Sequence, residues 1–447
     1  MLRRTTQRLL EHFEVATKAG CIRNFHMSPD GEPDRGPLDG VRVLDMSRVL
    51  AGPYCTQLLG DMGAEVIKIE RPGSGDDTRA WGPPFVGGES CYYLSINRNK
   101  RSIVVDVKTE DGKQIIYDLA KRSDVFVENF QRGKIEKMGF GYEKLKTLNK
   151  RLVYASISGF GAHGPDHEKP GYDMVASAVG GLMSITGPAD GRPAVAGASI
   201  TDIMSGMYAN GTICAALYER RSTNRGKRIH CSLLQTQVAY LCHIAANYLN
   251  TGVVGKRHGS AHGSIVPYQA FETSDDHEIV VAGANDKFFK IMCEVLGLSE
   301  LVEDSRFHTN AKRVINREEL IPLLQAKLKE QPSLYWIEHF QRAGVPCGRV
   351  NNMDDVFDMP QVKALGIVQS IPHPTAGRIK VPGPAVEYDG ISQLAPARHP
   401  PLMGEHTIEI LKDVLHYEET KIEELLTNKV VMEGGAHKHI KAHKYVY

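Results

Sequence analysis

From residue 41 onward, short apolar runs alternate with amphipathic segments. The runs 41–45 (VRVLD), 66–70, 102–107 (SIVVDV), 125–127 and 152–157 read as strands; 52–62, opened by Pro53, 112–122 and 142–148 read as helices. Near-continuous apolar strands separated by amphipathic helices are the pattern of parallel strands covered on both faces, so the expected fold class is α/β with a parallel sheet. The rhythm changes past residue 262. A strand at 278–282 and helices near 288–298, 317–329 and 333–343 predict a smaller α+β domain.

Composition narrows the function classes. At 447 residues the chain is about three times a ~150-residue domain unit, so two or more domains are expected. Lys+Arg 54 against Asp+Glu 53 leaves no basic excess of the kind nucleic-acid binding needs. With 42% hydrophobic and 24% charged residues there is material for a sizeable core and too much charge for a membrane protein. The most lipid-like stretch, 238–254, contains His243, Asn247 and Asn250 and reads as a buried or interface helix. Glycine exceeds its usual ~7% share and tryptophan is scarce, which suits tight βα turns better than an aromatic carbohydrate site. The cysteines at 21, 55, 91, 214, 231, 242, 293 and 347 form no C-x-x-C pair; reduced thiols fit this spacing better than a disulfide framework or a zinc cage.

Residues 1–27 place Arg3, Arg4, Arg8 and Arg23 beside Leu9, Leu10 and Phe13, as a mitochondrial import sequence does, although Glu11 and Glu14 are unusual for one. Mitochondrial localisation is expected, cytoplasmic otherwise. The expected organisation is 1–36 presequence and Pro/Gly/Asp-rich linker, 37–232 first part of the large domain, and 233–262 linker helix and loop. A small domain at 263–375 follows, then 376–430 as return linker and second part of the large domain, and 431–447 as tail. The tail histidines read as a solvated end.

Few motifs commit the chain to a chemistry. Gly159, Gly161 and Gly164 fit G-x-G-x-x-G after a strand, but Pro165 stands where a dinucleotide-binding helix should open. No P-loop, G-x-S-x-G elbow or H-E-x-x-H occurs. The basic stretches at Arg71, 98–101 (RNKR) and 132–137 each read as solvated faces, or together as an anion site for a phosphorylated cofactor on one sheet edge; both readings stay open. Asp202, where a small-residue helix of about 202–221 begins, and Asp173 both admit a plain N-cap reading.

The segments PLDGVRVLDMSRVLAGPYCTQLLGDMGAEVIKIERPGSGDDTR, NRNKRSIVVDVK, DVFVENF, the GYD of 171–173, ITDIMSGMYA and PLMGEHT keep their order and spacing from about Pro37 to Asn428. Together they resemble the class III CoA-transferase family, which includes the formyl-CoA and carnitine CoA-transferases and the α-methylacyl-CoA racemases. AHGSIVPYQAF, HIAANYL and VPGPAVEY resemble the mitochondrial members that use succinate, glutarate and hydroxymethylglutarate. The resemblance implies a Rossmann-like large domain, a smaller domain reached by long linkers, and a ring-shaped subunit in an interlocked homodimer. It implies acyl-CoA and dicarboxylate substrates, with no tightly bound cofactor, metal, nucleic acid or membrane partner.

Carried over residue by residue, the family's catalytic aspartate falls on Asp202. Its CoA contacts fall on Val49, Leu50, Arg71, Val105 to Lys108, Asn129, Phe130 and Lys137. Trp81, Tyr172 and Asp173 match positions lining the reacting centre, and Gly259 and Gly263 stand in the segment that replaces the lid's glycine run. Arg48 replaces a histidine and Leu50 a glutamine of the formyl-CoA enzyme, and Tyr172 stands where the racemases carry histidine, which argues against racemisation. The implied reaction moves CoA from succinyl-CoA, or another dicarboxyl-CoA, to a dicarboxylate such as glutarate through an aspartyl-CoA thioester and mixed anhydrides. A helix-start position is expected to keep Asp202 ionised. Arg48 first and Arg98 second are candidates to grip the non-reacting carboxylate. The alternatives are a CoA-ester racemase or isomerase, transfer to a different carboxylate acceptor, or a binding module that has lost catalysis.

Overall fold

The computed structural model describes residues 36–388 and 397–434. The import-like segment, most of the linker after it and the tail histidines lie outside the described residues. The chain divides into two compact units. Of the described residues, one unit comprises those through Ala176, Ser199–Thr236 and those from Gly366; the other comprises Ser177–Ala198 and Gln237–Leu365.

The first unit is built on a seven-stranded sheet: β1 (Arg42–Asp45), β2 (Glu65–Glu70), β3 (Lys100–Val105), β4 (Val125–Glu128), β5 (Val153–Ser158), β6 (Arg228–Ser232) and β7 (Val431–Met432). Their order is β7-β3-β2-β1-β4-β5-β6. All neighbours are parallel except the edge pair β7 and β3. Alternate residues of each central strand serve two cores. Leu44, Ile67, Ile103, Phe126 and Tyr154 pack with Ile115, Ile116 and Leu119 of helix α2 (Glu110–Lys121). Val43, Val66, Val125 and Val153 pack with Cys55 and Leu59 of α1 (Ala51–Asp61) and Ala209 and Ile213 of α4 (Ile200–Thr223). The helix α3 (Tyr142–Leu148) adds Leu145 to the first of these cores. The expected α/β class with a parallel sheet is what the chain adopts. The strands β6 and β7 carry no clear apolar run and are not apparent from the sequence.

Local chemistry sets the helix ends. Thr109 caps α2 by accepting the Gly112 N–H, Glu110 and Asp111 occupy its first turn, and Lys121 its last, as the helix dipole favours. The helix α4 starts two residues before Asp202 and is rich in small residues, which lets it meet α1 backbone to backbone. A Cβ at Gly206 would lie 2.6 Å from the Ala51 carbonyl oxygen. The C-terminal segment joins the same unit: Pro401 O accepts from Arg79 Nη2 at 3.0 Å and the Gly404 N–H donates to Ser102 Oγ at 2.9 Å.

In the second unit the strands Tyr268–Glu272, Glu278–Ala282 and Cys347–Arg349 form an antiparallel sheet with Glu278–Ala282 central. Helices Asp286–Leu296, Arg317–Leu328 and Ser333–Arg342 surround a core of Phe271, Ile279, Phe289, Leu324, Trp336 and Phe340. The lipid-like stretch is not one helix. It breaks at Cys242, whose φ is 44°, into Leu233–Tyr240 and Cys242–Thr251, and Tyr248 and Leu249 are exposed in the single chain.

Gly206→Val is expected to force α1 and α4 apart and destabilise the first unit by about 1–3 kcal/mol, the usual cost of overpacking. Denaturant unfolding of the variant beside the parent measures it.

Candidate active site

The site lies at the carboxyl ends of the parallel strands, where the connections leaving the neighbouring strands β1 and β4 run to opposite sides of the sheet and leave a crevice. After Asp45 the chain turns through Met46 to Leu50 into α1. Val49 sits in this turn at φ 69°, a conformation that costs a β-branched residue energy and persists only when neighbours impose it. Asn129, just past β4, imposes it by accepting the Arg48 N–H at 2.8 Å and donating to the Arg48 carbonyl at 2.6 Å. The Val49 N–H donates to Asp76 Oδ1 at 3.3 Å. At Gly52 a Cβ would collide with Ser47, so only glycine lets the helix begin so close to the turn. No side chain caps α1, and Leu50 and Ala51 at its start border the crevice.

Two buried ion pairs lie beneath the turn. Lys100 Nζ is 3.0 Å from Asp45 Oδ2 and also donates to Pro53 O and Asn97 Oδ1, while Lys68 Nζ is 2.8 Å from Asp76 Oδ2 and donates to Ser47 O. Burial pushes the Asp45 carboxyl up, but Lys100, Lys68 and the Ser47 and Thr56 hydroxyls outweigh it and hold it well below the usual carboxylate range. Burial takes Lys100 down to about 8 against the pull of Asp45.

Two clefts open above this base. The first, of about 200 Å³, is lined by Arg48, Val49, Leu50, Asn129, Phe130, Tyr172 and Asp202, with Arg132, Lys134, His167 and Lys169. The second, of about 490 Å³, has an apolar lining of Met46, Ile69, Val105, Val107, Phe130 and Met138 and a basic one of Arg71, Lys108, Lys113, Lys134 and Lys137. Arg48 and Phe130 line both, with the guanidinium 5.0 Å from the ring centroid. Asp77 links Arg48, at 2.9 Å, to Arg71, at 2.5 Å. An apolar slot ringed by cations suits a nucleotide base with its phosphates, and the adjoining cleft leads to a carboxylate.

That carboxylate, Asp202, is buried at 8% exposure in the first turn of α4. It is not an N-cap; the cap position is Ser199. Its N–H donates to Asp173 Oδ1 at 3.1 Å, so Asp173 caps α4 from another segment. Gly159 and Gly171 make this possible by packing so closely that a Cβ on Gly171 would lie 2.4 Å from the Gly159 Cα. The first glycine of the G-x-G-x-x-G pattern thus serves the approach of the 171–173 loop. Burial first, and the Asp173 charge second, push Asp202 up to about 7. This runs counter to the expectation that its helix position keeps it ionised: burial and a like charge both favour the neutral form. Tyr92 completes the centre. Burial and the Asp202 charge push its phenol up, a hydrogen bond with Ser199 pulls it back, and Trp81 meets its ring edge-on at 5.2 Å.

The structure thus gathers Arg48, Val49, Leu50, Asn129, Phe130, Tyr172 and Asp202 around the first cleft, and Arg71, Val105, Lys108 and Lys137 around the second. Arg98 is elsewhere. Its Nε and Nη2 bond both oxygens of Asp61 and its Nη1 bonds Pro382 O, so this buried guanidinium is a structural tie that lines neither cleft. The basic stretch 98–101 accordingly belongs neither to a solvated face nor to an anion site: Lys100 is wholly buried, and Arg101 pairs with Glu65 and Glu409. Gly259, at φ 60°, and Gly263 belong to the second unit, where the Gly259 N–H donates to Gly187 O. Tyr92, His167 and Lys169 join the site without belonging to any motif evident in the sequence. Among the described residues no helix is long and apolar enough to cross a membrane.

The family model for CoA-transferase family III matches residues 38–407. The chain is 52% identical over 401 residues to the succinyl-CoA:glutarate CoA-transferase of Homo sapiens, covering 90% of this chain and 91% of that protein. It is 39% identical over 393 residues to the succinate–glutarate CoA-transferase of Agrobacterium fabrum, covering 86% and 97%. Among solved structures it resembles a CAIB/BAIF family protein from Brucella suis, with a TM-score of 0.76 and 38% identity over 85% of this chain and all of that one.

Asp202→Asn is expected to stabilise the protein at alkaline pH. An acid raised from 3.8 to about 7 by folding costs nothing below pH 3.8, progressively more up to pH 7, and its full amount above. The gain should be up to about 4 kcal/mol at pH 8 and vanish near pH 4. Melting curves of both proteins at the two pH values test this.

Proposed function

The chain belongs to CoA-transferase family III, and from that premise we propose that it moves coenzyme A from succinyl-CoA to glutarate or a closely related dicarboxylate, with Asp202 as nucleophile. The carrying observation is a buried carboxylate in a cleft continuous, through Arg48 and Phe130, with an apolar slot ringed by cations. The names of the similar human and Agrobacterium proteins support the choice of acids.

Each step keeps the thioester's energy in an acyl bond. Ionised Asp202 attacks the succinyl-CoA carbonyl, forming a mixed anhydride and expelling CoA thiolate. The thiolate attacks the Asp202 carbonyl of that anhydride, giving an aspartyl-CoA thioester and free succinate. Glutarate attacks this thioester and expels CoA thiolate again, and the thiolate takes the glutaryl group and frees Asp202. Water would destroy every intermediate, so the tight α1–α4 contact and the burial of Asp202 favour transfer over hydrolysis. A carboxyl pushed up to about 7 is, once ionised, more basic and so a stronger nucleophile than an ordinary one. N–H groups at the start of α1 border the same cleft and suit a developing oxyanion. Arg48 is the residue assigned to the non-reacting carboxylate. It pairs with Asp77 and stacks on Phe130, so a diacid would share it with a carboxylate already there.

The wider proposal includes an interlocked homodimer and mitochondrial localisation. Met207, Tyr208 and Tyr218 on α4 are exposed apolar surface that a second copy would cover, and the basic, apolar character of residues 1–27 supports import. Sedimentation of the purified protein and the location of a reporter fused to residues 1–36 test these two points.

Incubation with succinyl-CoA and glutarate is expected to yield glutaryl-CoA and succinate one for one, with a covalent enzyme–CoA species detectable by mass spectrometry. Asp202→Ala should abolish both; substantial transfer by this variant would remove the mechanism. Arg48→Ala should raise KM for glutarate more than it weakens CoA binding, since Arg48 lines both clefts, and equal loss of both would reject that assignment. Because Asp202 must be ionised, kcat/KM should rise with pH through about 7. Asp173→Asn should move that midpoint to lower pH, since it removes the like charge while keeping an acceptor for the Asp202 N–H.

A further inference from the structure

Another buried acid, Glu128, takes no part in the transfer chemistry. It ends β4 and is 3% exposed. Its Oε2 accepts the Phe130 N–H at 2.9 Å, and its carboxyl also bonds the Ser156 hydroxyl. Glu128, Ser156 and His230 lie opposite one another across β4, β5 and β6. The turn that Glu128 ties down holds two residues of the clefts: Asn129, which clamps the Arg48 backbone on both sides, and Phe130, on which the Arg48 guanidinium stacks. The charged and titratable groups around the carboxyl are Glu136 from the helix Lys134–Lys137, Arg228 and His230 from β6, and Tyr154 from β5.

We propose that Glu128 is a positioning residue for the CoA ester, its protonated carboxyl holding the Asn129–Phe130 turn without placing a charge behind these cleft-lining residues, and its ionisation weakening the binding of the polyanionic ligand. Burial pushes this carboxyl up to about 7, against the Ser156 hydroxyl and the Phe130 N–H; Glu136 adds to the rise and Arg228 opposes it. The group therefore changes charge near neutral pH. Linkage makes the effect reciprocal: a bound polyanion favours the protonated form, so CoA binding draws a proton onto Glu128. This inference rests on the assignment of the two clefts to the CoA ester.

The test is calorimetric titration of the full chain with CoA from pH 6 to 8.5, in buffers of different ionisation enthalpy so that proton uptake is read together with Kd. In the parent, affinity should fall about tenfold more across this range than in Glu128→Gln, the size expected of one like charge on the order of 10 Å away at an effective dielectric of ~20. At pH 7.5 the parent should take up a fraction of a proton that the variant does not. Ser156→Ala, which removes a hydroxyl favouring the ionised form, should move the fall to higher pH and serves as the readout should Glu128→Gln fail to fold. Parallel pH profiles and equal proton uptake in parent and variant would overturn the role of Glu128 while leaving the clefts assigned. A parent that binds no CoA at any pH would overturn the cleft assignment, and this inference with it.

Discussion

Everything at this site is built upon two lysines that never meet water. Lys100 and Lys68 lie under the β1–α1 turn, paired with Asp45 and Asp76 and bonded to backbone carbonyls on either side of the turn. Removing charges from water is expensive, and such pairs return the cost only where geometry and additional hydrogen bonds are good. Here Asp45 also receives the Ser47 and Thr56 hydroxyls, and Lys100 reaches Asn97. Loss of one partner would leave an uncompensated buried charge, typically a matter of ~3–5 kcal/mol. Together with Asn129, which clamps Arg48 on both sides, the pairs hold Met46 to Leu50 in a path that includes a valine at positive φ, and that path sets where α1 begins.

The acid at the far end follows the opposite rule. Asp202 is buried too, yet its charged neighbour is another carboxylate. One region therefore joins a floor whose charges are compensated to a reacting group whose charge is not. Rigidity comes from the first and reactivity from the second, a division that places the stability cost of function on one side chain.

Legibility followed the range of the interactions. Central strands could be read because burial on both faces writes itself into consecutive residues, and the ends of α2 because Thr109 and Lys121 act within their own helix. By contrast, β6 is a mixed run, RIHCS, ordered by its pairing with β5. The order and spacing of motifs led to the family, and through it to Asp202. The state of Asp202 depends on Asp173, 29 residues away, and on its burial, which no local pattern encodes. Arg98 shows the same limit: RNKR looks like a surface run until Asp61, 37 residues earlier, is found beside it. Tyr92 sits in a six-residue helix too short to display a periodicity, and only the fold brings it to the site.

The bridge from Arg48 through Asp77 to Arg71 has a consequence of its own. Two guanidinium groups share one carboxylate, so the trio carries a single surplus positive charge and already has a resident anion in its mouth. An arriving ligand competes with a tethered rival more than with solvent, and small inorganic ions have little advantage over it. A molecule bringing several negative groups at once is better placed than a small ion to displace the occupant, which biases this entrance toward large, multiply charged visitors before any chemistry begins.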